Sequence, residues 1–420
     1  MKHATAFLTG LLILLIPWGK LEILDRITWA EVAFLLLAGA VIVELLRGRL
    51  KLRKLSIPRG FVVVVGLWLI GLLLSGIHAA HRGPWLFETA GMAYVSALGI
   101  LIAVVVSVDE EAYNRSLKWL TRSSIIVLIV GSLGILKLGI TLQRDFFFQS
   151  RSGKLIATFA HSNQLAGFLV LLVPLFWELY VMARGRRRIA YGGLLLTLIL
   201  GIVFTASRSA IAVLMAIALF YLVRYLLRRE FRVLIVPLVA GAILVGMMFV
   251  LRHHFAVVER VVGFVGNELL RGQLTDSFRV TNWENAIALF RTSPLTGYGL
   301  ANVWMDYVNE IHNTYVSALA ETGIIGLATL MFLFGYITVL GCRVVAAARR
   351  LRPSWSPYAR ALLVGVLGQF LFGTQHIVYR GRHLWLFFGL IVAMWTLLRR
   401  RRSTPQGRSS TRAGSSGDRT

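Results

Sequence analysis

His312 has the chemistry of a general base. An imidazole titrates near pH ~6.5, so it can accept a hydroxyl proton, and such catalysis contributes roughly 10²–10⁴-fold. A helix N-terminus and nearby arginines would both disfavour the imidazolium and keep the ring ready to accept. Arg208 and Arg279 have the chemistry of anion ligands. A guanidinium grips phosphate through two parallel hydrogen bonds and stays charged at any working pH. Each charge-assisted bond contributes roughly 1.5–3 kcal/mol, so the pair can hold a departing diphosphate without a metal. Structural alternatives stand beside these roles. Arg208, in Thr205-Ala206-Ser207-Arg208-Ser209-Ala210, either binds an anion at membrane depth or snorkels to headgroups. Arg279 has Asp276 three residues before it, a local ion-pair partner. Arg291, at the far end of the same segment, reads as a headgroup contact or a substrate ligand. His161 and Asn163, in Ala160-His161-Ser162-Asn163-Gln164, either cap a helix or line the cavity that His312 faces. No Asp-x-Asp occurs in the chain, and the expectation is no metal and no cofactor.

These residues must be positioned by membrane helices. The chain has 420 residues, 57% of them hydrophobic, and a mean hydropathy of +0.72. Many apolar runs exceed the ~18 residues that cross a hydrocarbon core. The fold class read from this is an all-α polytopic membrane protein. Its 45 Lys and Arg against 19 Asp and Glu sit in short clusters between apolar runs. That pattern sets topology and touches anionic membrane lipids; it excludes nucleic acid as the expected partner. Cys342, the only cysteine, excludes an internal disulfide. The first run, from Ala4 to Trp18, lacks a small-x-small cleavage site and reads as an uncleaved span.

Twelve spans fit the sequence: 4–18, 29–46, 60–77, 89–107, 123–140, 163–182, 189–206, 209–227, 233–251, 313–340, 359–377 and 384–398. They form a single integral-membrane domain over 1–398, followed by a basic tail over 399–420 expected to be disordered. Arginine clusters in the loops at 47–59, 184–188, 224–232 and 343–360 fall on one side, with both termini, and mark it as cytoplasmic. The outward side then receives 78–88, 141–162, 205–209, 375–383 and one large loop at about 252–312. It keeps Arg82, Arg144, Arg151, Lys154, Arg208, Arg252, Arg260, Arg271, Arg279, Arg291, Arg380 and Arg382 against the usual bias, which points to an anionic ligand there.

The stretch from Asp276 to Gly326 is the least membrane-like. Val280, Trp283, Ile287 and Phe290 recur at helical spacing, predicting an amphipathic helix with one apolar face. Pro294, Gly297 and Gly299 end it. A new helix is expected near His312, with Gly323 three turns on along the same face and Gly326 one turn further, both admitting a neighbouring helix.

His312-Asn313, nine residues, Gly323, two residues, Gly326 resembles the His-Asn-x9-Gly-x-x-Gly pattern of the O-antigen ligase family. Arg279…Trp283…Pro294-Leu295-x-Gly297-x-Gly299 resembles the wider ligase and polymerase superfamily, as do His161-Ser162-Asn163-Gln164-Leu165-Ala166 and the span layout. The family's Arg-x3-Leu letters read Arg208…Ala212 at the first site and Arg291…Leu295 in the amphipathic segment. The resemblance implies a glycosyltransferase of the bacterial inner membrane, working at the periplasmic face. It would move a glycan from undecaprenyl diphosphate to a sugar hydroxyl of lipid A–core, without metal and with inversion. His312 would activate the acceptor while Arg208 and Arg279 hold the diphosphate. Asn313, Asn163, His161, Arg291, Trp283, Arg144 and Arg151 would contact substrate. The alternatives are a glycan polymerase, a protein oligosaccharyltransferase and, from another class, a secondary transporter. Transporters show paired repeats, broken helices and acids within spans. No such pairing is legible here, and Glu31 and Glu44 lie towards the ends of the second span.

Overall fold

A computed structural model describes residues 3–24, 27–48, 57–135, 154–230, 246, 277–307 and 311–403. The chain enters through α1 (His3–Leu15), a short hairpin β1 (Glu22–Leu24) and β2 (Ile27–Thr28), and α2 (Trp29–Leu46). α2 starts on a capping box in which the Thr28 hydroxyl and the Glu31 carboxylate satisfy each other's first-turn amides. Long apolar helices follow: α3 (Arg59–Leu74), α4 (Arg82–Val106), α5 (Glu110–Ile135), α6 (Ser162–Met182), α7 (Gly185–Phe204) and α8 (Arg208–Leu227). The polar segment supplies α9 (Ser277–Thr292) and the short α10 (Asn302–Tyr307). The last three are α11 (Thr314–Leu351), α12 (Ser356–Phe372) and α13 (Arg382–Ser403).

The all-α polytopic reading holds. Among the described residues nine helices are long and apolar enough to cross a membrane. The expected first span forms a helix of 13 residues and the expected span at 359–377 one of 17 residues, both shorter than the ~20 that a full crossing takes. The expected span at 233–251 lies outside the described residues. α6 and α13 are the interior helices, with 83% and 78% of their apolar windows buried, against 22% for α2. α6 packs on α7 and α12, and α13 packs on α4.

Backbone contacts tie the inter-helix loops together at each end of the bundle. At one end the Lys20 amide donates to the Thr158 carbonyl, Leu155 to Phe204, and Thr314 to Gly373. At the other end Arg400 donates to the Ser107 carbonyl, and Arg352 and Arg401 both pair with Glu110. His312 belongs to the first end.

Two expectations about the central stretch are corrected. First, α11 is not one helix running on from His312. Its backbone leaves helical geometry at Gly323, with φ 65° and ψ −169°, a region open essentially to glycine alone. The break frees amides and carbonyls that the loop at 294–299 takes up. The Ile324 and Ile325 amides donate to the Pro294 and Leu295 carbonyls, at 2.9 and 3.2 Å. The Tyr298 and Gly299 amides donate to the Ala320 and Glu321 carbonyls, at 2.9 and 3.0 Å. Gly323 therefore faces this loop, not a neighbouring helix: a Cβ there would fall on the Leu295 carbonyl, and one on Gly297 would fall on the Glu321–Thr322 peptide. Gly326 does what was expected, lying against Gly71 of α3, whose added Cβ would be 3.2 Å from the Gly326 Cα.

Second, the buried side of α9 is not the expected stripe. Ile287 is exposed, while Ala286 and Leu289 are buried with Val303, Ile311 and Ala320 in a small separate core, against which Trp283 is half-buried. α9 packs on α11, so protein contact and not lipid contact selects its inner face. The Val280 side chain lies outside the described set.

Gly323→Ala should destabilise the protein by about 3 kcal/mol or more through backbone strain and steric overlap. Gly66→Ala, where an added Cβ meets nothing within 4 Å, should leave stability nearly unchanged. Thermal unfolding of the detergent-purified variants checks both.

Candidate functional site

The N-terminus of α11 fixes His312. Asn313 is the N-cap: its side-chain oxygen accepts from the Tyr315 and Val316 amides at 2.9 and 3.1 Å. Its side-chain nitrogen donates to the Thr374 carbonyl at 2.9 Å. Thr314 continues the seam, its hydroxyl donating to the His376 carbonyl at 2.7 Å and accepting from the Val378 amide at 3.0 Å. Tyr315 adds a bond from its hydroxyl to the Phe370 carbonyl at 2.7 Å. The loop between α12 and α13 is thus stitched to the start of α11, and His312 cannot shift independently of it.

That seam sets two histidines side by side. The rings of His312 and His376 lie with centroids 6.0 Å apart, edge to face. His376 is buried, and its Nε2 is 2.8 Å from the Ser209 hydroxyl in the first turn of α8. Both rings line a cavity of about 450 Å³ at this end of the bundle. His161 and Asn163, from the start of α6, line it too, as do Lys154, Gln369, Arg380, Arg382 and His383, with Phe159 and Phe372 as apolar wall. Gln369 is fully buried and donates to the Gly167 carbonyl, while its side-chain oxygen has no partner among the described residues.

The cavity's arginines are held by acids. Arg380 reaches Glu321 at 3.2 Å and Glu88 at 3.7 Å. Arg382 pairs with Glu31 at 3.0 Å and donates to the Thr28 hydroxyl at 2.7 Å. Tyr379, immediately before Arg380, donates to Glu321 at 3.3 Å. Burial, and then the Glu321 charge, push the Tyr379 hydroxyl above its ordinary pKa, so it stays a donor. Glu321 and Glu178 are the buried acids within the long helices that the sequence reading did not single out. Glu178 is held by Arg360 through two bonds of 2.6 Å. Both acids are paired, so neither presents a lone intramembrane carboxylate.

The other expected site residues are placed as follows. Arg208 is the first residue of α8, exposed, next to the Ser209 that contacts His376, and not itself in the cavity lining. Asn313, expected to touch substrate, has both ends of its amide engaged in the cap and the Thr374 bond. Trp283 and Arg291 are on α9, apart from the cavity lining, with Arg291 exposed. Arg279 lies in the first turn of α9 with its side chain outside the described set, and Arg144 and Arg151 lie outside the described residues. The segment carrying α9 and α10 is docked at this end by two histidines. His78 is 2.9 Å from the Thr296 hydroxyl and 3.1 Å from that of Ser293. His81 pairs with Asp306 at 3.0 Å, and hydrogen bonds from His81 and Tyr298 hold the Asp306 carboxyl below the usual range. Among the described residues no three His, Cys, Asp or Glu side chains gather as a metal site would need.

An imidazole, a second imidazole anchored to a serine, and several cations around one polar cavity can bind an anionic group and take a proton from a hydroxyl. Residues 193–331 match the family described as O-antigen ligase, which supports membership in the O-antigen ligase-like superfamily. That segment carries α8, α9 and His312. No curated protein matches the chain.

Asn313→Ala should lower stability by about 1–2 kcal/mol through loss of the cap. Asn313→Asp, which still accepts from both amides but loses the donor to the Thr374 carbonyl, should recover only part of it; thermal unfolding of the two variants separates them.

Proposed function

We propose that this member of the O-antigen ligase-like superfamily is itself a ligase. It joins a glycan carried on undecaprenyl diphosphate to a sugar hydroxyl of lipid A–core, at the periplasmic face of the bacterial inner membrane. The observation that carries the reading is the placement of His312 on a cavity shared with Lys154, Arg380 and Arg382, next to the start of α8. A diphosphate needs cations and the acceptor needs a base, and both meet there.

In the reaction His312 takes the proton of the acceptor hydroxyl as its oxygen attacks the anomeric carbon. The bond from that carbon to the diphosphate oxygen breaks, and its electron pair leaves with undecaprenyl diphosphate. One displacement inverts the anomeric configuration. Arg208 and Arg279 hold the diphosphate, with Lys154 or Arg380 as further cations on the cavity side. The leaving group carries its own negative charge, so its stabilisation by guanidinium groups supplies the main electrostatic gain. His376, fixed through Ser209 and Thr314, keeps the His312 ring facing the cavity. Arg144, Arg151, Arg291 and Trp283 are assigned to substrate binding, as are His161 and Asn163. The arginine clusters at the opposite end of the bundle support the periplasmic assignment of the His312 end.

The test uses the purified chain in lipid with an undecaprenyl-diphosphate glycan, offering lipid A–core in one reaction and donor alone in another. The ligase reading predicts glycan on lipid A–core with inverted linkage. It also predicts loss of about 10²-fold or more of the rate in His312→Ala. Chain lengthening with donor alone would make the protein a polymerase. A retained linkage would exclude the single displacement.

A further inference from the structure

Two polar groups on the His312 cavity take no part in the proton transfer or in holding the diphosphate. Gln369, in the last turn of α12, lines the cavity and is fully buried. The Gly167 carbonyl can only accept, so it takes the Gln369 side-chain nitrogen and fixes which way the amide lies. The Gln369 oxygen is then an acceptor with no donor among the described residues. His383, the second residue of α13, lines the same cavity. Its ring stands edge-on to Phe159 and Phe168, with centroids 6.4 and 6.0 Å away. Its nitrogens make no hydrogen bond to the described residues. Packing therefore holds both groups in place while their hydrogen-bonding atoms stay unused. Buried polar groups in native proteins are hydrogen-bonded, and an exception at a cavity marks a partner that comes from outside the chain.

We propose that Gln369 and His383 form a subsite for the acceptor sugar, the ring whose hydroxyl His312 deprotonates. The inference rests on the ligase reading of the His312 cavity. The chemistry of the pair selects the ligand. An amide oxygen repels the oxygens of a phosphate, so the diphosphate is kept from this part of the cavity. An acyl chain would leave both groups without partners. A polyol satisfies them: one hydroxyl donates to the Gln369 oxygen, and another donates to or accepts from the imidazole. Phe159 and Phe372 supply apolar wall for the C–H faces of the ring. The acceptor fits better than the donor sugar. His312, the base, lines this cavity, whereas Arg208 and α9, which carry the proposed diphosphate ligands, do not.

The experiment compares wild type, Gln369→Leu, His383→Phe and His383→Gln, each as the full chain in lipid. Transfer rates are measured with lipid A–core varied at saturating undecaprenyl-diphosphate glycan, and with the donor varied at saturating lipid A–core. Gln369→Leu and His383→Phe should each raise KM for lipid A–core about five- to tenfold, with kcat and the donor KM near the wild-type values. His383→Gln, which restores a hydrogen-bonding group, should recover most of the loss. A role in packing, or in holding a water, would instead lower kcat or the unfolding temperature without separating the two KM values. Unchanged KM for lipid A–core, or an equal rise in both KM values, would overturn the inference and leave the ligase reading standing. A wild type that transfers nothing to lipid A–core would end that reading, and direct binding of the core oligosaccharide released from lipid A then decides the subsite. The wild type should bind it about five- to tenfold more tightly than Gln369→Leu or His383→Phe does; equal binding would overturn the inference.

Discussion

The break in α11 at Gly323 is held open by four backbone hydrogen bonds to the loop at 294–299 that follows α9. Inside a bilayer an interrupted helix leaves amides and carbonyls that no water can satisfy, each at a cost of several kcal/mol. Here the loop at 294–299 donates and accepts in the places where the helix would have bonded to itself. Two glycines make this possible because the two backbones approach closer than any side chain allows. The polar segment is thereby fastened onto the helix that carries His312, and α9 rests on the same helix through its own small core.

Glu321 joins that break to the cavity. Its carbonyl accepts from the Gly299 amide, and its carboxylate is held by Arg380 and Tyr379. The loop, the broken helix and a cavity cation therefore share one residue. On the far side, Asn313 and Thr314 lock the same helix to the loop that carries His376. A buried acid beside an arginine is costly to separate, because removing either partner strands a charge. The arrangement restricts the cavity's cations and imidazoles to one geometry, the condition under which preorganised electrostatics lower a barrier.

The class of fold was legible because apolar runs of bilayer length carry their own signal, and most helix positions follow from them. The bounds of the stretch around His312 were legible from Pro294, Gly297, Gly299 and the onset of the next apolar run. What Gly323 does was not. Spacing alone assumes that a helix continues, so it placed Gly323 on a face with His312, whereas a glycine eleven residues on can equally mark where the helix stops being one. The inner face of α9 was misread for a related reason: its apolar residues occur on two sides, and only the partner helix decides that Ala286 and Leu289 turn inward while Ile287 does not. His376 and Gln369 carry no local pattern, since their meaning comes from contacts with Ser209 and Gly167 far away in sequence. The run from Gln375 to His383, with two histidines and two arginines between apolar helices, was the available signal.

The most direct measurement is a cryo-electron microscopy structure of the chain in lipid with a non-transferable analogue of an undecaprenyl-diphosphate glycan. The account predicts diphosphate density at the mouth of the cavity lined by His312, His376, Lys154 and Arg380, with the anomeric carbon facing the His312 ring. Diphosphate bound away from that cavity, or a sugar whose anomeric carbon is out of reach of a hydroxyl held by His312, would contradict it.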